Sequence, residues 1–310
     1  MKKFITNILI FALIFFIVEK AFYFFMFISP TLEIDNRLEK VINGEMNKDI
    51  IVLGSSRGAR NIIAGQIEDS LTISAYNLSY VGSDIQFHEF LLRSLIKFNK
   101  PPKIVLLAVD NFYELLPNES MIFRLDVLYP LAKYNYINDE MIKRGEKNYL
   151  SNFLILSRIN KSNFDLRKKH FSSLDTIIAC GSMPIFFQRK DREFKSTNYG
   201  DYNVAKELSV KVKSYIRFQK LCTINNIKLL MVFSPNFNSH FNLEFEKRLK
   251  DLAEPDVAFY VYDSLNTVYQ DKSFFYDEVH LKTNGAVIFT NEIINKLRSL
   301  KQTKQEHSIE

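Results

Sequence analysis

Tryptophan is absent from the 310 residues, cysteine occurs twice, and glycine and proline are held to nine and eight. So little glycine and proline excludes a collagen-like or low-complexity chain, and two cysteines exclude a disulfide-built miniprotein. Cys180 and Cys222 stand in no Cys-x-x-Cys or Cys/His metal spacing, so they read as two buried thiols or as one disulfide. The histidines His88, His170, His240, His280 and His307 form no metal set. Gly-x-Gly-x-x-Gly is missing, and so is a glycine loop followed by Lys-Ser/Thr, which excludes a dinucleotide fingerprint and a P-loop. Neither a cofactor nor a metal is expected.

Charge of one sign is scarce as well. The net +6 comes from 41 Lys plus Arg against 35 Asp plus Glu and is spread thinly over the chain. Basic clusters occur at Arg167, Lys168, Lys169 and at Arg189, Lys190, Arg192, Lys195, but no zinc-finger spacing, helix-turn-helix signature or basic arm accompanies them. They read as solvated faces, and no nucleic-acid partner is expected.

What the chain does have is apolar and aromatic mass, 47% hydrophobic with 28 Phe and 15 Tyr, and much of that Phe falls before residue 29. Phe4 to Ile28 is interrupted only by Thr6, Asn7 and the pair Glu19 and Lys20, and is long enough to cross a hydrocarbon core of about 30 Å. Lys2 and Lys3 precede it, while the residues after it are mixed in sign. The positive-inside bias therefore keeps the amino terminus in the cytoplasm and the remainder outside. A cleaved signal peptide and a buried helix are the rival readings; the length of the run and the lack of a small-x-small site favour an uncleaved anchor. Residues 1–28 are thus expected as a transmembrane anchor and 29–48 as a short amphipathic helix or stalk.

From Asp49 onward strand-like and helix-like stretches alternate. Ile50 to Leu53, Leu71 to Tyr76, Lys103 to Val109, Lys228 to Phe233 and Val257 to Tyr262 read as strands. Helical spacing runs through Phe87 to Phe98, Val210 to Cys222 and from Thr283, where Ala286, Val287, Ile293, Ile294 and Leu297 make a core face. Such alternation predicts an α/β fold with a mostly parallel five-stranded sheet between two helical layers, flavodoxin-like, with function at the strand carboxyl ends. Residues 117–200 break the pattern and read as an insertion over the site; residues 301–310 read as a disordered tail.

The first strand runs directly into Gly54-Ser55-Ser56-Arg57-Gly58, a tight turn that would expose a hydroxyl at the sheet edge. Near the other end, Phe275-Tyr276-Asp277-Glu278-Val279-His280 precedes the last helix, so Asp277 and His280 meet within one turn. A serine hydroxyl is a poor nucleophile until a base takes its proton, and the base needs an acceptor to fix its tautomer. Ser56, His280 and Asp277 supply those three roles. The pentapeptide fits the Gly-x-Ser-x-Gly elbow of α/β-hydrolases too, but there the nucleophile follows several earlier strands.

A serine after the first strand with Asp-x-x-His near the end resembles the SGNH (GDSL-like) hydrolase superfamily, over about Asp49 to Leu300. The resemblance implies Ser56 as nucleophile, His280 as base and Asp277 as orienting acid. It also implies an oxyanion hole from Ser56, from Gly82 in Asn77-Leu78-Ser79-Tyr80-Val81-Gly82, and from a third block that departs from Gly-x-Asn-Asp. Here the strand ends Ala108-Val109-Asp110-Asn111, with Asn111 the better donor and Asp110 the other candidate. With its anchor, the layout is similar to envelope proteins of this superfamily that transfer or remove acyl groups on cell-surface polysaccharides. The implied partners are an acylated envelope glycan and a multi-spanning acyl-donating membrane protein. Asn236 and His240, after the fourth strand, and Arg57, beside the nucleophile, are candidates for contacting substrate, Arg57 alternatively for a structural salt bridge. The alternative to an esterase or O-acyltransferase is a catalytically silent binding or assembly component on the same fold.

Overall fold

Ile50–Gly54 (β1) is apolar along its whole length and is buried at every position, as befits a strand covered on both faces. The chain is described in a computed structural model over residues 1–187, 193–194, 201–237 and 242–306. Two helices precede β1, α1 (Lys2–Leu32) and α2 (Arg37–Ile42). After it come α3 (Ser56–Asn61), α4 (Ala64–Leu71), β2 (Ala75–Asn77), α5 (Ile85–Phe98) and β3 (Ile104–Val109). The short α6 (Leu125–Leu128) and α7 (Asn135–Lys143) follow, then α8 (Ser209–Ile224), β4 (Lys228–Phe233), α9 (Leu243–Asp251), β5 (Ala258–Val261) and α10 (Thr283–Glu306).

The five strands form one parallel sheet in the order β2-β1-β3-β4-β5, the flavodoxin-like order, with helices on both sides. Helices α5 and α8 pack together, and α10 packs with α3 and α4. The order reverses between β1 and β3, and the crevice at their carboxyl ends is where such folds place ligands. Asp84 caps α5 by accepting from the Gln86 and Phe87 amides.

The chain divides into two compact units, Met1–Glu39 with Arg124–Phe171, and Lys40–Phe123 with Ser172–Glu310. The sheet belongs to the second. The stretch expected as one insertion is therefore split: 124–171 clusters with the amino-terminal helix, and its flanks stay with the sheet. Contacts between short 3₁₀ turns and the apolar amino-terminal helix leave no mark in the periodicity of 117–200.

Several element bounds differ from expectation. The second strand begins at Ala75 rather than Leu71, because Leu71 closes α4 and Thr72 caps it in the left-handed conformation. Helix α1 runs past residue 28 to Leu32, with Pro30 inside its last turn. Residues 29–48 include the short helix α2, and Leu38, Val41 and Met46 are buried. The last helix extends to Glu306 instead of fraying at 301, where Lys, Gln and Glu are good helix formers; residues 307–310 lie outside the described residues. Of the expected core face of α10, Ala286, Ile293, Ile294 and Leu297 are buried and Val287 is exposed. Cys180 and Cys222 are free thiols, Cys222 buried enough for its pKa to be pushed up to about 12.

Candidate active site

Gly54 ends β1 against the neighbouring strand so closely that a Cβ there would sit 2.8 Å from the Ala108 carbonyl oxygen. That approach turns the chain sharply, and Ser56 opens α3 immediately after it. The Ser56 Oγ lies 2.8 Å from His280 Nε2, although 224 positions separate the two residues. His280 Nδ1 stands 2.9 Å from both carboxylate oxygens of Asp277. A carboxylate on Nδ1 places the proton there and leaves Nε2 as the acceptor facing the serine.

Asp277 is fixed by more than the imidazole. Its Oδ1 accepts from the Val279 amide at 3.0 Å and the His280 amide at 2.9 Å. Burial by itself would raise the carboxyl pKa, but the His280 side chain and these two amides outweigh it and bring Asp277 down to about 2. It is ionised at any working pH.

The turn carrying His280 is tied to the helix carrying Ser56 by Asn61, the last residue of α3. The fully buried Asn61 accepts from the Leu281 amide at 2.9 Å and donates to the Val279 carbonyl at 3.2 Å. Sequence reading passed over Asn61, because a polar residue five positions after a serine carries no signal of its own.

Ser56, Gly82, Asn111 and His280 line one cleft of about 400 Å³. Gly82 has φ +73°, and a Cβ would approach the Ser120 carbonyl at 3.1 Å, so the position needs glycine. Asn111 caps a 3₁₀ turn with its Oδ1, accepting from the Tyr113 amide at 2.8 Å, and its Nδ2 donates to Asp110 Oδ1 at 3.2 Å. The acceptor end of the amide is thus turned away and the donor end kept at the cleft wall.

Asp110 is a hub. It takes the Ser55 hydroxyl, the Asn111 amide and an ion pair with Arg57 Nε at 3.0 Å. Arg57 also points its Nη1 at the Ser234 carbonyl, 3.4 Å away. The Arg57 side chain is 1% exposed and paired with Asp110, the structural salt bridge that the sequence offered as the alternative to a substrate contact. Asn236 is likewise buried and does not line the cleft; His240 and the basic cluster from Arg189 to Lys195 lie outside the described residues.

A second serine–histidine pair sets off the first. His88 Nε2 lies 2.8 Å from Ser83 Oγ, but both residues are fully buried and no carboxylate reaches Nδ1. Burial pushes the His88 pKa down to about 3, so the imidazole is neutral, inaccessible and structural. Among the described residues no cluster of three or more metal-ligating side chains occurs.

No family model matches the chain, and no curated protein does. Among solved structures it is similar to a "putative acylhydrolase" from Bacteroides fragilis, at 11% identity and a TM-score of 0.38 over 84% of this chain and 94% of that one.

Proposed function

We propose that the protein is an extracytoplasmic serine esterase or O-acyltransferase of the SGNH type, acting on acyl esters, most simply acetyl esters, of a cell-envelope glycan. One observation carries the reading: a serine hydroxyl at the carboxyl end of the first strand, a histidine 2.8 Å from it, and an ionised carboxylate 2.9 Å behind that histidine, opening on one cleft.

In this mechanism His280 Nε2 takes the proton of Ser56 as Oγ attacks the acyl carbonyl. The Asp277 carboxylate stabilises the imidazolium without accepting its proton. The oxyanion forms toward the backbone amides of Ser56 and Gly82 and the Asn111 carboxamide. Collapse expels the glycan hydroxyl, which takes the proton from His280 and leaves an acyl-Ser56 ester. Water then completes hydrolysis, or a second glycan hydroxyl completes transfer, deprotonated in turn by His280.

Helix α1 is long and apolar enough to cross a membrane. With Lys2 and Lys3 before it, we read it as a single-pass anchor with the amino terminus in the cytoplasm. One span has no route to move an acyl group across a bilayer, which supports a multi-spanning acyl-donating partner if the reaction is transfer. The sheet unit is the catalytic domain in this reading.

The test is labelling by a fluorophosphonate. Adduct on Ser56, lost in Ser56→Ala and retained in Ser55→Ala, is the expected result, since Ser55 is buried on Asp110. A folded protein that leaves the probe untouched would sink the esterase reading.

A further inference from the structure

Helix α1 changes character at Glu19. Every residue from Met1 to Val18 is exposed all round, whereas from Glu19 onward one face is covered by the rest of the amino-terminal unit. The Glu19 carboxylate is buried and accepts the backbone amides of Ile155 and Leu156, the latter at 3.1 Å, capping a short 3₁₀ turn at Ile155–Ser157 that has no side-chain cap of its own. Further along, Phe22 and Phe25 pack on the ring of Phe164, and Lys133 sits 5.2 Å over the ring of Phe27. The collar closes at the helix end, where the Lys169 amide donates to the Leu32 carbonyl and its ammonium pairs with Glu33.

This docking conflicts with a simple bilayer span. The free apolar part, Phe4 to Val18, is 15 residues, or about 22 Å of helix, against a hydrocarbon core of about 30 Å. The missing ~8 Å is a little over five residues, which carries the hydrocarbon boundary past Glu19 to the level of Tyr23 and Phe24. Tyr23 and Phe24 are exposed there, while the covered face of the helix bears the collar. A polar collar would be costly at that depth. This one is not polar: Phe153 is 83% exposed and Tyr149 77%, with Leu150, Phe164 and Leu166 also exposed. Residues 147–171 carry six basic side chains against one acidic one, and Lys161 and Lys168 are exposed among the aromatics. Exposed aromatic and leucine side chains interleaved with Lys and Arg suit the boundary between acyl chains and headgroups.

We infer that residues 149–171 form an interfacial collar whose Tyr149, Leu150, Phe153, Phe164 and Leu166 enter the headgroup–acyl boundary of the bilayer on the far side from Lys2, completing a span that α1 begins. The inference rests on reading α1 as a membrane anchor. Its occupant is lipid, and the interface is continuous with the apolar helix.

The chain's lack of tryptophan makes the test direct. Full-length Phe153→Trp, Tyr149→Trp and Phe15→Trp each carry a single indole, to be read in vesicles of phosphatidylcholine with a minority of phosphatidylglycerol, with bromines at shallow or deep acyl positions. Phe15→Trp should be quenched by deep bromines. Phe153→Trp and Tyr149→Trp should be blue-shifted and lose most of their emission to shallow bromines. Quenching of Phe15→Trp alone, with water-exposed spectra from both collar variants, would overturn the collar and leave the anchor standing. No quenching at any of the three would overturn the anchor and the collar with it.

Discussion

Asn61 and Leu281 are joined by a 2.9 Å hydrogen bond from the Leu281 amide to the Asn61 side chain, and the other end of the same carboxamide holds Val279. The serine helix and the histidine turn thereby share one buried clamp. Asn61→Ala leaves a buried amide and a carbonyl unpaired, at about 1–3 kcal/mol of stability. It also frees His280 to shift, and a misplacement of about 1 Å costs about 10²-fold in rate. The expected phenotype is a folded protein with lowered kcat, slower fluorophosphonate labelling and little change in KM. Unchanged labelling would show that the clamp serves the fold alone.

Ser56→Ala and His280→Ala should each lower ester turnover by several orders of magnitude, Asp277→Asn by less, and the double Ser56→Ala/His280→Ala by little more than either single change. Steady-state kinetics on an activated acetyl ester would measure this, with thermal unfolding as control. Losses that add would mean the three groups act separately. Ser56 and His280 line the cleft, so melting of their variants should move only by the ~1 kcal/mol of an ordinary substitution.

How much of this was legible in the chain follows from where each signal is local. β1 was readable because a fully buried parallel strand is a continuous apolar run, and Ser56 because a glycine turn follows it. Asp277 and His280 were readable because three residues separate them. Asn61 bonds Leu281, and Ser55 bonds Asp110, partners far away in the chain, and nothing within a few residues of Asn61 or Ser55 encodes them. Glu19 was misleading for the same reason: in the sequence it is a flaw in an apolar span, and in the fold it is the cap of a turn 136 residues away.

Acid stability has two separable parts. His88 is held neutral with a pKa near 3, well below the ordinary 6.5. The unfolded chain binds a proton there that the folded one refuses, so stability is complete above pH 6.5 and falls as pH drops toward 3, by on the order of 5 kcal/mol. Asp277, depressed from 3.8 to about 2, contributes stability above 3.8 that is lost as pH falls through 2. His88→Gln should flatten the upper window and leave the lower; Asp277→Asn should do the reverse. Unfolding free energy measured from pH 7 to pH 2 distinguishes them. An undiminished slope in His88→Gln would mean another group titrates there.

Arg57 and Asp110 form a buried pair, so breaking it should act on stability and not on substrate affinity. Arg57→Ala strands a buried carboxylate, and Asp110→Ala strands a buried guanidinium; each should cost about 3–5 kcal/mol. At temperatures where Arg57→Ala is still folded, its KM for neutral and anionic esters should be that of the parent. A KM that rises only for anionic esters would return Arg57 to the substrate side.

Asn111 separates a working oxyanion hole from a lapsed one. Its Oδ1 is committed to the Tyr113 amide and its Nδ2 lies at the cleft wall beside Asp110, so the side chain can offer a donor to the cleft but not an acceptor. If that donor meets the oxyanion, Asn111→Ala should lower kcat by about 10²–10³, or about 2.7–4 kcal/mol, with KM nearly unchanged, because the interaction strengthens only as charge develops. Asn111→Asp should be worse than Asn111→Ala, since a second carboxylate beside Asp110 would repel the oxyanion as well as remove the donor. Labelling rates with a neutral phosphonate should follow the same order, because the phosphonyl oxygen occupies the same position. Equal rates in all three proteins would place the stabilisation on the amides of Ser56 and Gly82, and Gly82→Ala, strained at φ +73°, would then be the variant that loses turnover.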